Sequence, residues 1–215
     1  MLQVLFPPKC ALCEKLLTRQ ETDLCHDCRK KTPQVHRVKK NIPFVAHWTA
    51  LWYYKDSVRG SIRRFKFRSR RNYAKIYARL LSMKLEDSLR HDFDVVTWVP
   101  VSALRRFKRG YDQSSLLAKA VALELGVPVM KLLKKVRHNP PQSGIRDAAK
   151  RRANVLGAYR IVKNEDVRGK TILLIDDVVT TGATASECAK TLLTAGAKQV
   201  LFAAVATADN DKKMI

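Results

Sequence analysis

The residues best able to do chemistry lie in one run, Ile172-Leu173-Leu174-Ile175-Asp176-Asp177-Val178-Val179-Thr180-Thr181-Gly182-Ala183-Thr184. Four apolar residues predict a buried parallel strand, which places both aspartates at its carboxyl end, where open α/β sheets bind ligands. The small and hydroxyl-bearing residues that follow turn into a helix. Backbone N–H groups at a helix start, with the positive end of the helix dipole, form a phosphate seat, and Thr180, Thr181 and Thr184 add hydroxyls. Adjacent carboxylates suit vicinal diols such as those of a ribose, and through them a hard cation such as Mg²⁺. The bland reading is a strand-to-helix connection with acidic caps. The fit of the whole run favours ribose plus phosphate.

A second chemistry belongs to Cys10, Cys13, Cys25 and Cys28, four of the five cysteines, arranged as two C-x2-C pairs. Four thiolates around a tetrahedral Zn²⁺ is the natural result, and with every position taken by sulfur the site is structural rather than catalytic. Two disulfides would not suit a reduced compartment. Such a module has almost no apolar core of its own, so the metal supplies its folding free energy. Cys188, on an apolar-faced helix, reads as a buried neutral thiol.

The third signal is charge. In 215 residues, 42 Lys and Arg stand against 19 Asp and Glu, a net +23. That exceeds the demand of solubility or of one phosphate ligand. One basic block holds Arg59, Arg63, Arg64, Lys66, Arg68, Arg70, Arg71, Lys75 and Arg79, interleaved with Phe65, Phe67 and Tyr73. Cations tracking a phosphate backbone beside rings on which bases stack are what single-stranded nucleic acid binding uses, and Arg63, Arg64, Lys66, Arg68, Arg70 and Arg71 are the candidates. The bland alternative keeps the cations on a solvated face and the rings in the core. Hydrophobic residues at 46% exclude wholesale disorder. No apolar run approaches the roughly 18 residues a membrane span needs, and the proline-rich start is too short for a secretory signal, so a cytoplasmic protein is expected.

The elements that must position these groups alternate. Strands are expected at Val45–Tyr54, Phe93–Val99, Val127–Met130, Thr171–Ile175 and Gln199–Ala206. Helices are expected at Asn72–Leu89, at Gln113–Leu125 between an Asp112 cap and Gly126, and from about Ala183 to Ala195 before Gly196. Arg29–Asn41 reads as a linker, and Lys134–Asn154, with Pro140-Pro141, as a long mobile loop, uncommon unless it has a job. The expectation is a mostly parallel α/β domain over 42–215 behind a zinc-binding module and linker over 1–41.

The run from Asp176 to Thr184 resembles the signature of type I phosphoribosyltransferases, which bind phosphoribosyl pyrophosphate (PRPP). The resemblance implies that Asp176 and Asp177 hold the ribose 2- and 3-hydroxyls and that Thr180, Thr181, Gly182, Ala183 and Thr184 hold the 5-phosphate. The four-Cys start after Phe6-Pro7-Pro8, then Val99-Pro100, then Arg109-Gly110-Tyr111-Asp112-Gln113, then the aspartate turn, is similar in order to the ComF family. These are bacterial phosphoribosyltransferase-like proteins of natural transformation. Family members usually have Asn where this chain has Asp112, and many carry a second set of ribbon cysteines that this chain lacks.

The ComF resemblance implies a pyrophosphate loop after Val99, with Arg109 and Gly110 close to the diphosphate. It further implies a flexible loop carrying Gln142, Arg146, Arg151 and Arg152 that closes over PRPP. The function expected is DNA uptake: single-stranded DNA on the basic surface, PRPP and Mg²⁺ at the aspartate turn, in the cytoplasm beside a helicase-like partner and the uptake channel. The alternative is an active phosphoribosyltransferase, in which Asp176, Asp177 and Arg109 serve catalysis on an unidentified acceptor. A nucleic-acid scaffold with a relic site is a third reading.

Overall fold

The strand Thr171–Val179 (β5) has apolar side chains on both faces, so it must be covered on both sides. It lies second from one edge of a four-stranded, all-parallel sheet of order β1-β6-β5-β2, with β1 at His47–Tyr53, β2 at Val95–Trp98 and β6 at Gln199–Thr207. The computed structural model describes residues 7–38, 40–68, 70–89, 93–137, 153–163 and 165–208.

The two-residue period of the strands sorts the core into two layers. Leu173, Ile175, Leu201, Ala203 and Leu51 point to one face, under helices α2 (Asp56–Phe67), α3 (Tyr73–Leu89) and α5 (Gln113–Leu125). Ile172, Leu174, Val200, Phe202 and Ala50 point to the other, under α6 (Ala183–Thr194) and an antiparallel hairpin of β3 (Leu133–Lys135) and β4 (Tyr159–Ile161). Two short helices, α1 (His26–Lys31) and α4 (Ala103–Arg109), complete the named elements.

Asp112 caps α5 by accepting from the Ser115 N–H (3.1 Å), and Gly126 ends the helix in the left-handed conformation.

Several expectations need correction. β5 does not end at Ile175; Asp176, Val178 and Val179 still pair with Ala204, Ala206 and Thr207, because β6 continues opposite them. Val127–Met130 forms a single parallel bridge, Val129 to Val96, rather than a strand. The expected loop 134–154 begins inside β3, while 138–152, with Gln142, Arg146, Arg151 and Arg152, lies outside the described residues. The basic block hides a helix: Val58, Ser61, Ile62 and Phe65 form the buried stripe of α2, at a helical spacing that the surrounding cations obscured.

The segment after the cysteines is not a free linker. Its Val35 N–H donates to the Leu51 carbonyl (3.0 Å), and Val35 and Ile42 are buried on the α6 face. The cysteine module does not lack apolar contacts either. Leu12 and Leu24 are buried in the cluster that contains Ile62, Phe65 and Tyr77. Arg64 fastens it further, donating to the carbonyls of Ala11 (3.2 Å) and Leu12 (2.6 Å) and lying 3.4 Å from a Glu14 carboxylate oxygen.

Candidate functional site

The β2 ladder stops at Trp98, paired with Ile175, and the chain then leaves the sheet through Val99-Pro100. A cleft of about 780 Å³ opens beside the end of β5, with Asp176, Asp177, Thr180 and Thr184 on its wall. Because all four strands are parallel, their carboxyl ends share this rim, the place an open α/β sheet offers a ligand.

The acidic pair is held from three elements. Ser114, in the first turn of α5, donates to Asp176 Oδ1 (2.9 Å), and the Asp177 N–H donates to the same oxygen (2.8 Å). Lys66, in the last turn of α2, places its ammonium 2.7 Å from Asp177 Oδ1. Desolvation, and then the Asp177 carboxylate beside it, push the Asp176 carboxyl up to about 7, against the pull of Lys66.

Below the pair, the chain turns into α6 at Gly182, whose φ of +79° lies in the left-handed region. A Cβ at Gly182 would sit 2.9 Å from Ile42 Cγ1, so conformation and space both require glycine. A shallow recess lies over this turn between Asp176, Gly182, Ala183 and Thr184. Thr181 instead accepts from the Ala183 N–H (3.4 Å). Lys40 donates to the Thr180 carbonyl (3.2 Å), so the segment leading from the cysteines braces the turn.

The cleft is also cationic: Arg105, Lys108, Arg109 and Lys135 line it together with Lys66. Arg109 donates to Gln113 Oε1 (2.9 Å), with its guanidinium 4.9 Å from the centre of the Phe67 ring. Gly110, at φ +74°, ends α4 and does not line the cleft, and its carbonyl accepts from Arg71 (3.4 Å). Burial, and then neighbouring Arg105, lowers the Lys135 ammonium from its usual range; burial, and then Arg109, does the same to Arg105.

The rest of the Arg109–Gln113 segment works on α2. The Tyr111 hydroxyl donates to the Phe65 carbonyl, and Gln113 Nε2 donates to the Lys66 carbonyl (3.4 Å). These are carbonyls a helix end leaves open. Both Asp112 oxygens accept backbone N–H groups, from Ser115 and Val101 (3.3 Å).

The six candidate nucleic-acid residues divide. Arg64 and Lys66 point inward, to the cysteine module and to Asp177. Arg70 lies 3.4 Å from Glu14, Arg71 lies over the Tyr111 ring, and Arg63 and Arg68 are exposed. Phe65 and Tyr73 are core residues, whereas Phe67 is exposed. Sequence spacing carries no signal for Lys66 or Lys40, whose partners Asp177 and the Thr180 carbonyl are more than a hundred residues away, and Arg105 and Lys135 meet at the cleft only in the fold.

Cys10, Cys13, Cys25 and Cys28 bring their sulfurs within 4.8 Å of one another, and Cys13 Sγ lies 3.7 Å from Cys25 Sγ. Zn–S bonds of about 2.3 Å at tetrahedral angles put sulfurs about 3.8 Å apart, so the group fits structural Zn²⁺. Burial raises the Cys28 thiol, hydrogen bonding with the Cys13 and Cys25 sulfurs raises it further, and the Cys10 sulfur adds a charge repulsion that a dication relieves. Cys188 is fully buried in α6 and its thiol is pushed well up, chiefly by desolvation.

Comparison with known proteins agrees with this arrangement. Residues 112–215 match the phosphoribosyl transferase domain family, and residues 1–38 match the double zinc ribbon domain family. The chain is 30% identical to competence protein ComFC of Streptococcus pneumoniae, over 89% of this chain and 84% of that one. It is 28% identical to competence protein F of Haemophilus influenzae, over 82% of this chain and 75% of that one. It is 29% identical to DNA utilization protein YhgH of Salmonella typhimurium, over 89% and 86%.

Proposed function

This chain belongs to the ComF family, with a type I phosphoribosyltransferase fold behind a four-Cys zinc group, and from that premise we propose that it serves DNA uptake by coupling PRPP at the Asp176–Thr184 turn to single-stranded DNA on its basic face. The observation that carries the PRPP half is the juxtaposition in one cleft of an acidic pair, a glycine-led helix start and five cations. Ribose hydroxyls donate to Asp176 and Asp177. The 5-phosphate sits over Gly182, Ala183 and Thr184, taking hydroxyl donation from Thr180 and Thr184. Arg109, with Lys108 and Arg105, faces the diphosphate, where a guanidinium fork suits paired oxygens. The oxygen donors of the acidic pair suit Mg²⁺, which would neutralise part of the charge on the bound sugar diphosphate.

Net charge supports the DNA half, because +23 leaves a large excess after the cleft cations are counted. Arg63, Arg68, Arg70 and Arg71 form the outer face of this reading; Arg64 and Lys66 support it from within. The place of action is the cytoplasm, beside a helicase-like partner and the uptake channel. Among the described residues no helix is long and apolar enough to cross a membrane.

The test is a titration of PRPP and Mg²⁺ into zinc-loaded protein, with and without a short single strand, reading heat and released pyrophosphate. The wild-type chain should bind PRPP without turnover, and Asp177→Asn should lose the PRPP heat while keeping its DNA affinity. Absence of PRPP heat in the wild type would sink the reading. Steady pyrophosphate release would replace it with the transferase, in which an acceptor attacks the ribose C1 as its bond to pyrophosphate breaks.

A further inference from the structure

Helix α4 is built unlike the other helices around the sheet. Its sequence, Ala-Leu-Arg-Arg-Phe-Lys-Arg, holds four cations and no acid in seven residues, and none of these residues is buried. Phe107 is 87% exposed and Leu104 46%. Phe67, at the end of α2, is 65% exposed and lines the same cleft as Leu104, Arg105, Lys108 and Arg109. Leaving an aromatic ring in water forgoes the stabilisation of burial, so two such rings beside one cluster of cations call for an occupant.

The chemistry of the patch selects that occupant. The cations ask for a polyanion. The rings ask for flat apolar faces delivered together with the charge. A duplex keeps its base faces stacked inside, whereas a single strand presents them. An anionic bilayer would favour a broad apolar face, and α4 offers two large apolar side chains among four cations. We infer that a single strand of nucleic acid crosses the mouth of the cleft over α4, stacking bases on Phe107 and Phe67 and seating phosphates on Arg106, Lys108 and Arg68. This deepens the single-strand reading above and rests on it. It moves the centre of contact from the outer face of α2 to the rim of the PRPP cleft. Arg109, stacked on Phe67, and Lys108, both lining the cleft, become common to both ligands.

Fluorescence anisotropy of a labelled thymidine strand of about 20 nucleotides, with the zinc-loaded full chain, tests this. A matching strand of abasic sites and anionic phosphatidylserine vesicles are the comparisons. Phe67→Ala/Phe107→Ala should weaken the thymidine strand about tenfold or more, and the abasic strand less than about twofold, since stacking needs bases. Phe107→Ala alone, at a solvent-facing position, should show part of the loss with an unchanged melting temperature. Unaltered thymidine binding by the double variant, beside firm wild-type binding, overturns the platform and leaves the single-strand reading standing. Equal losses on both strands, or a loss confined to vesicles, also overturn it. A wild-type chain that binds no strand ends both readings.

Discussion

Asp177 carries the ribose reading, and its nearest cation, Lys66, comes from a helix read in the sequence as part of a nucleic-acid surface. That ion pair fixes the carboxylate before any sugar arrives, while Ser114 and a backbone N–H fix its neighbour. At Gly182 the constraint is steric as well as conformational. Gly182→Ala should cost about 1–3 kcal/mol from the left-handed backbone alone, with more from the clash against Ile42. Thermal melts of Gly182→Ala made in the wild-type chain and in an Ile42→Ala chain, each against its own parent, should show only the steric share recovered in the second. Full recovery would mean the backbone conformation is not what requires glycine.

At the scale of elements, the cysteine group and α2 behave as one piece. Leu12 and Leu24 are buried with Ile62, Phe65 and Tyr77, and Arg64 ties two carbonyls of the module to the helix. Chelation of zinc, or Cys25→Ser, should therefore lower the single melting transition by more than about 10 °C rather than remove a separate early one. Calorimetry that resolves an independent low-temperature transition would contradict that coupling. The Arg109–Gln113 segment also acts between elements, with Tyr111 and Gln113 holding the end of α2 and Asp112 the start of α5. These relations mark the limit of what the sequence shows. Helix α3 has a clear helical spacing, α5 a cap and a closing glycine, and the strand leading to Asp176 an unbroken apolar run, so all three are legible. Helix α2 was not, because cations flank each apolar position of its stripe. The pairing of Lys66 with Asp177, and of Lys40 with the Thr180 carbonyl, spans more than a hundred residues and leaves no local trace.

At the scale of the whole molecule the net charge of +23 meets the two proposed ligands together. Cations line the cleft, stand on α4 and follow α2 among the described residues, and Arg109 and Lys108 belong to both proposed ligands. One guanidinium cannot serve two anions fully, so PRPP should raise the strand's dissociation constant by about fivefold, and the strand should raise that of PRPP by the same factor. Paired titrations in either order check the equality, and independence of the two ligands would remove Arg109 from one of the sites.

The order of the sheet has a further consequence, in time rather than in space. Strand β1 is made early, yet its partner in the sheet is β6, at Gln199–Thr207. A ribosome making this chain therefore releases Trp48 and Trp52 well before the strand that pairs with theirs. Such an unpaired apolar edge invites misassociation until β6 follows, about 150 residues later. The four cysteines, complete by residue 28, need no later part of the chain as ligands. Zinc can thus order the nascent N-terminus while the sheet it will pack against still waits for its last strand.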